Sequence, residues 1–221
     1  MSKPILRYWD LRFLAEPIRY LLHYKKVDFE DKRSSYDKEA WQVEKVDLGL
    51  DFPMLPYYMD GDVKLTQSTA ILRYLARKYG LDGKDEKQKL RVFLAEQQIV
   101  DLAWSLVFLI ISNDYNESAR ADFIEKLPDT LKLWENFIGD QKYLTGDDIT
   151  YVDFMAYEAF DFHRLFHAEA FDDFPKLKAF LNRIKNLPEL QEYLNSSTCR
   201  KWPILGPRAK FGGGGEPPKH L

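Results

Sequence analysis

One cysteine, Cys199, is the whole thiol content of this 221-residue chain. It cannot close an internal disulfide, which fits a reducing compartment, and no CxxC is present for ordinary two-cysteine exchange. GxGxxG and GxxxxGK[ST] are also missing, which argues against a dinucleotide fold and a P-loop. Neither sign of charge is in large excess. The 32 Lys and Arg against 35 Asp and Glu leave a formal net charge of −3. With no basic block, a nucleic-acid partner has no electrostatic footprint. No apolar run approaches the roughly 20 residues that span a bilayer. The amino terminus, MSKPILRYWD, lacks the apolar stretch of a secretory signal. These absences set the expectation of a cytoplasmic protein with no membrane partner.

What is present changes character near residue 80. Ile5, Leu6, Tyr8 and Trp9 form a short apolar run that reads as a buried strand. EPIRYLLHY follows as a helix, with Pro17 suited to its first turn. A second strand is expected around Asp28 to Arg33, then helical or irregular chain through Trp41 and Val46 as far as Gly49. The prolines of DFPMLP exclude a helix interior there. PYYMDGDVKLT reads as a hairpin, Tyr57 to Met59 and Val63 to Leu65 about an Asp60-Gly61 turn. Ser68 is placed to cap the helix STAILRYLARKY, which Gly80 ends. Strand, helix, strand, helix, hairpin, helix make an α/β module over residues 1 to 80.

Residues 81–86, LDGKDE, form a polar linker, and residues 87–221 read as all-helical. Leu90 to Ile111 is expected to be one long helix. Others follow near Ala119 to Ile138, Tyr151 to His167, Pro175 to Asn186 and Pro188 to Leu194, the first with a kink at Pro128. Thr150 and Asp153 suggest a capping-box variant, with Ile149 and Phe154 as a hydrophobic staple. The tail KFGGGGEPPKHL has no periodicity and is expected to be mobile. His163 and His167 share a helix face, but without a third ligand they point to packing and not to a metal. Residue patterns alone supply no nucleophile.

Three segments supply more. RYWDLRFLAEPIRYLLHY, LGLDFPMLPYYMDGDVKLTQSTAILRYLARKYG and YLTGDDITYVDF together resemble the mu class of cytosolic glutathione transferases. The resemblance runs from about Pro4 into KWPILGPRAKFGGGGEPPK, which is similar to flatworm forms. It implies a thioredoxin-like domain joined to an all-α domain, and conjugation of glutathione to hydrophobic electrophiles in detoxification. No metal or organic cofactor is implied, glutathione being a substrate.

The resemblance also assigns roles. Tyr8 lies beside the glutathione sulfur and donates a hydrogen bond that favours the thiolate. Lowering a thiol pKa by about two units requires roughly 2.7 kcal/mol, within the reach of one charge-assisted hydrogen bond. Trp9, Trp41 and Lys45 stand at the glycine end, while Leu14, Met54, Leu55 and Pro56 belong to the same binding surface, with Leu55–Pro56 cis. Gln67 and Ser68 meet the γ-glutamyl carboxylate at a helix amino terminus, where unpaired N–H groups attract anions. Asp101 reaches the γ-glutamyl ammonium of the neighbouring subunit. Phe52 and Arg73 belong to the interface of a homodimer. The electrophile lies among Leu14, Phe108, Ile111 and Leu205.

Four residues depart from the class. Arg7 and Phe13 replace glycines, Met54 replaces an asparagine, and Ile111 replaces a tyrosine that donates to the electrophile in many members. Two other readings use the same fold: a carrier of hydrophobic ligands, or a glutathione-dependent isomerase. The intact set of Tyr8, Gln67, Ser68 and Asp101 favours a transferase.

Overall fold

A computed structural model describes residues 3–221. Strand β1, Ile5–Trp9, leads through a 3-10 turn at Phe13–Ala15 into α1, Glu16–Tyr24, with Pro17 in its first turn. β2, Glu30–Ser34, lies parallel to β1, with Tyr8 level with Arg33. The expected strand at Asp28–Arg33 is thus displaced toward the carboxy terminus. EDKRS has no apolar alternation, and its register comes from β1 instead. α2, Lys38–Glu44, is capped by Asp37, whose carboxylate accepts from the Glu39 and Ala40 amides at 3.0 and 2.9 Å. A 3-10 turn, Lys45–Asp47, follows.

β3, Tyr57–Asp60, and β4, Val63–Thr66, form the hairpin. Asp60 pairs with Val63, so the two-residue turn is Gly61-Asp62 and not Asp60-Gly61. Gly61 takes φ +61, the conformation that glycine supplies in such loops. The four strands run in the order β2-β1-β3-β4, with β3 antiparallel to both neighbours. α3, Ser68–Tyr79, closes the module and ends on Gly80 at φ +68.

The remaining chain is helical: α4 Glu86–Ile111, α5 Glu117–Ile138, α6 Tyr151–Phe166, α7 Pro175–Lys185, and the single turn α8 Gln191–Leu194. Asp85 caps α4 through the Gln88 amide at 2.8 Å, starting it earlier than the apolar pattern suggests. α5 continues through Pro128. Asp153 accepts from the Thr150 amide at 2.7 Å and from the Leu144 amide at 2.9 Å, so the capping box forms and also ties down the preceding loop. The two modules share one core. Leu6, Ile18, Leu21, Tyr58 and Leu75 join Ile99, Leu131, Phe154, Phe160 and Phe180 in a single buried cluster.

Two expectations fail in the helical half. By length and composition α4 is apolar enough to cross a membrane, contrary to the reading of the sequence. Its apolar residues serve more than one surface: Val92, Ile99, Leu106 and Ile110 are buried, while Leu90, Phe93 and Leu94 are exposed. The tail, expected to be mobile, folds onto α6. Phe211 packs on Phe162, Phe166 and Trp202 at 5.3 to 6.4 Å between ring centres. The Trp202 indole donates to the Gly215 carbonyl at 3.1 Å. The glycine run is a tight turn: a Cβ on Gly213 would come within 2.5 Å of the Ala209 carbonyl. Periodicity is blind to such a segment because aromatic packing fixes it, not a regular element.

Candidate functional site

A second, smaller cluster gathers around Tyr8. It contains Phe13, Leu106, Val107, Ile110, Phe162, Ile204 and Leu205, with Leu14, Leu55 and Trp104 packed against it. Tyr8 is brought here by β1, Phe13 and Leu14 by the turn that follows, Leu106 and Ile110 by α4, and Leu205 by the tail. The tail is held in place by a hydrogen bond from the Lys210 amide to the Ile110 carbonyl at 2.8 Å. Tyr8 is 6% exposed. Burial raises its phenol pKa well above the ordinary value, against the pull of the Arg19 charge and the Leu14 backbone amide. At neutral pH the phenol is therefore protonated and able to donate.

A polar rim is formed by the segments on either side of the β3–β4 hairpin. The Leu55–Pro56 peptide bond is cis, as the family resemblance implies. Gln67 occupies the N-cap of α3 at φ +68, and Ser68 is the first helical residue. Ser68 therefore does not cap, correcting the expectation; among the α3 cap groups no side-chain hydrogen bond forms. The α3 amino terminus is left with unengaged N–H groups, which suits an anion. A non-glycine residue at positive φ is costly, and such strain collects at ligand-binding positions. The Met54 sulfur accepts from the Gln67 side-chain amide at 3.2 Å.

Trp9, Trp41 and Lys45 stand on the same side as α2. Trp9 packs on Tyr36 at 5.0 Å and Trp41 stacks on Tyr57 at 6.3 Å. Phe108 and Ile111 lie on the last turns of α4 and are exposed, Ile110 taking the buried position between them. Phe108 touches the cluster through Trp104, at 5.5 Å. Asp101 is exposed on α4, as is Phe52 on the loop after α2. Arg73 is half exposed and pairs with the fully buried Glu96, which also accepts from the Tyr151 hydroxyl at 2.6 Å.

The sequence marks Phe13 as a departure but not what it packs against. Phe13 sits at φ +44, the backbone a glycine would occupy, and its ring lies edge-on to Trp104 at 5.8 Å and Phe162 at 6.0 Å. Neither partner carries a sequence signal beyond its aromaticity. Arg12 is buried against Glu158 at 2.7 Å and Asp161 at 2.9 Å, tying the turn after β1 to α6. His163 meets the expectation of packing. Its Nδ1 lies 2.8 Å from the Ala159 carbonyl, and Phe123 stacks on the ring. Among the described residues no group of three or more His, Cys, Asp or Glu is arranged to hold a metal.

A separate cleft lies beyond α6, lined by Tyr157, Asp161, Arg164, Cys199 and Arg200. Several of its charges are paired: Arg164 with Asp161, and Arg200 with Asp10. Burial pushes the Cys199 thiol up to about 12, which leaves it protonated and a poor nucleophile. Tyr8 and the residues packed around it remain the candidate site on chemical grounds, a buried phenol beside an apolar cluster.

Comparison with known proteins identifies the family. Residues 4–77 match the glutathione S-transferase N-terminal domain and residues 101–197 the C-terminal domain. A glutathione S-transferase of Tyrophagus putrescentiae is 46% identical over 217 residues, covering 96% of this chain and 98% of the relative. A class-mu 26 kDa isozyme of Fasciola hepatica is 42% identical over 214 residues, with the same coverage. The crystal structure of the glutathione S-transferase Blo t 8 superposes with a TM-score of 0.87 at 36% identity, covering 94% of this chain and 99% of that one. The two domain matches and the near full-length identity to these relatives place the chain in the glutathione S-transferase family, in its mu class.

Proposed function

We propose that the protein conjugates the thiolate of glutathione to hydrophobic electrophiles, with Tyr8 as the thiolate's hydrogen-bond donor. The observation that carries this is the position of Tyr8: a buried, protonated phenol between a polar rim and an aromatic cluster. Glutathione lies along the rim. Its γ-glutamyl carboxylate meets Gln67, Ser68 and the α3 amino terminus; its cysteinyl backbone pairs with Leu55 beside Met54 and Pro56. Its glycine carboxylate faces Lys45, with Trp9 and Trp41 alongside. The sulfur then points at Tyr8. The phenol donates to the thiolate, holding it ionised at neutral pH without taking its proton. The electrophile enters among Leu14, Phe108, Ile111 and Leu205, where apolar walls exclude water from the attack.

The active form is a homodimer in the cytoplasm, serving detoxification. Support comes from the apolar surface left uncovered in one chain: Phe52 is 73% exposed, and Leu90, Phe93 and Leu94 on α4 are also exposed. In the dimer Phe52 inserts into the partner, Arg73 lies near the axis, and Asp101 completes the neighbouring glutathione site. Such an isologous contact gives two equivalent sites.

The reading is tested by calorimetric titration with glutathione, followed by turnover of a panel of aryl halides, enals and epoxides. Binding with turnover of at least one class is expected. Tight glutathione binding with no turnover of any class would point to a carrier.

A further inference from the structure

Arg7 stands beside Tyr8 on β1 and is 7% exposed. All three guanidinium nitrogens are engaged. Nε donates to Glu44 Oε1 at 3.0 Å and Nη2 to Glu44 Oε2 at 2.7 Å, the two-pronged geometry that arginine alone offers a carboxylate. Nη2 also donates to Ser34 Oγ at 2.9 Å, and Nη1 to the Tyr8 carbonyl at 2.7 Å. Glu44 accepts a third bond, from the Tyr57 hydroxyl at 3.3 Å. Tyr57 faces Arg7 across the β1–β3 ladder, and its ring stacks on Trp41.

The helix that this network holds has little else to hold it. Of the seven residues of α2 only Trp41 is buried, and Val43 and Val46 are largely exposed. A helix this short is not stable alone, because isolated helices below about 12–15 residues are marginal in water. Its stability must come from docking. Trp41 is one anchor. Glu44, three residues on and immediately before Lys45, is the other.

We infer that Arg7 is a positioning residue for glutathione: its fork to Glu44 locks α2 onto the sheet and so fixes Trp41 and Lys45 relative to Tyr8. The inference rests on the glutathione reading above and adds to it a residue that the class resemblance leaves as a departure. When α2 undocks, Tyr8 keeps its place on β1, but the groups facing the glycine carboxylate scatter. Apparent affinity then falls in proportion to the docked fraction. Because these groups act far from the sulfur, the loss falls on glutathione KM and not on kcat.

The test compares Arg7→Met, Arg7→Lys and Glu44→Gln with the parent protein. Arg7→Met should raise glutathione KM about tenfold, as expected if α2 is docked only about a tenth of the time. Its kcat at saturating glutathione should stay within about twofold, and the KM of the electrophile should not move. Arg7→Lys, which keeps the charge and loses the fork, should show a rise of about threefold. Amide hydrogen exchange over residues 38–47 should quicken in Arg7→Met while α6 is unaffected, which a general loss of stability would not produce. Combining Arg7→Met with Glu44→Gln should add little to the first, since both break one contact. Should Arg7→Met fail to fold, Arg7→Lys and Glu44→Gln carry the same readouts. Unchanged KM with unchanged exchange overturns the inference, as does a loss of kcat at constant KM. A parent protein that binds no glutathione in calorimetry overturns the glutathione reading and this inference with it. A parent that binds, with variants that bind equally well, overturns this inference alone.

Discussion

The two walls of the Tyr8 cleft are built from different materials. The polar rim is largely a backbone construction: a cis Leu55–Pro56 bond, Gln67 at φ +68, and the amino terminus of α3. The facing wall is made of side chains, with Phe13, Trp104 and Phe162 in edge-on contact and Leu205 closing one end. Backbone geometry survives substitution more easily than side-chain shape. Phe13 keeps the positive φ of the glycine it replaces, and Met54 finds a partner in Gln67. On the side-chain wall a replacement changes the surface itself, as at Ile111, where no hydroxyl is present. Glutathione recognition should therefore be the constant of this protein, and electrophile choice its variable.

The largest expected effect separates the helical wall from the rim by pH. Burial pushes the His163 imidazole down to about 4, from an ordinary value near 6.5. Between those values the unfolded chain binds a proton that the folded chain does not, so stability falls as pH falls from 6.5 toward 4. A shift of that size corresponds to about 3 kcal/mol. His163→Phe should remove that part of the acid slope, measured by urea unfolding at pH 7 and pH 4.5. An identical slope in the variant would show that His163 does not contribute to it. Phe13→Gly comes next. Losing a buried ring costs about 3–5 kcal/mol, and relief of the positive φ returns about 1–2, leaving a net loss of about 1–4 kcal/mol. Glutathione affinity should stay within about twofold. An equal loss of glutathione affinity would break the separation of the two walls.

Two smaller effects sharpen the comparison. Phe52→Ala should weaken the proposed dimer by about 2 kcal/mol, read by sedimentation at several concentrations. Glutathione affinity should fall with it if Asp101 completes the rim from the other subunit, as the proposed dimer requires. A variant as tightly dimeric as the parent removes Phe52 from the interface. Ile111→Tyr should raise kcat/KM for an epoxide about tenfold and leave an aryl halide almost unchanged. A hydroxyl donor stabilises the oxyanion of epoxide opening, while aryl substitution spreads its charge over a ring. Equal responses of the two substrates would show that the missing hydroxyl does not set the preference.

The fold could be read in the sequence where a period or a cap carries it. The short apolar run at Ile5, the prolines of DFPMLP and the Thr150–Asp153 pair all marked their places in the chain. It could not be read where a distant partner decides. EDKRS becomes a strand only beside β1, and the tail is ordered only by Phe211 on α6. The site shows the same division. The cis Leu55–Pro56 bond was legible through a motif-rich resemblance, which also singles out Tyr8, Gln67 and Ser68 for the proposed glutathione site. Arg7 and Phe13 were marked as departures, but their partners Glu44, Trp104 and Phe162 were not, because those contacts join distant segments. Ser68 illustrates the limit within a motif. A serine before a helix reads as a cap, yet the strained Gln67 takes that position.

The central claim is that the Tyr8 phenol sets the ionisation of bound glutathione, and it is open to direct measurement. Titrating the thiolate absorbance of the glutathione complex with pH gives that ionisation for the parent protein and for Tyr8→Phe. In the parent the bound thiol should titrate about two units below free glutathione, the equivalent of roughly 2.7 kcal/mol of preference for the thiolate. In Tyr8→Phe, still able to bind through the rim, it should return most of the way to the free value, near 8.5–9 by the ordinary range of thiols. A titration that stays where the parent's lies would mean that another group activates the sulfur.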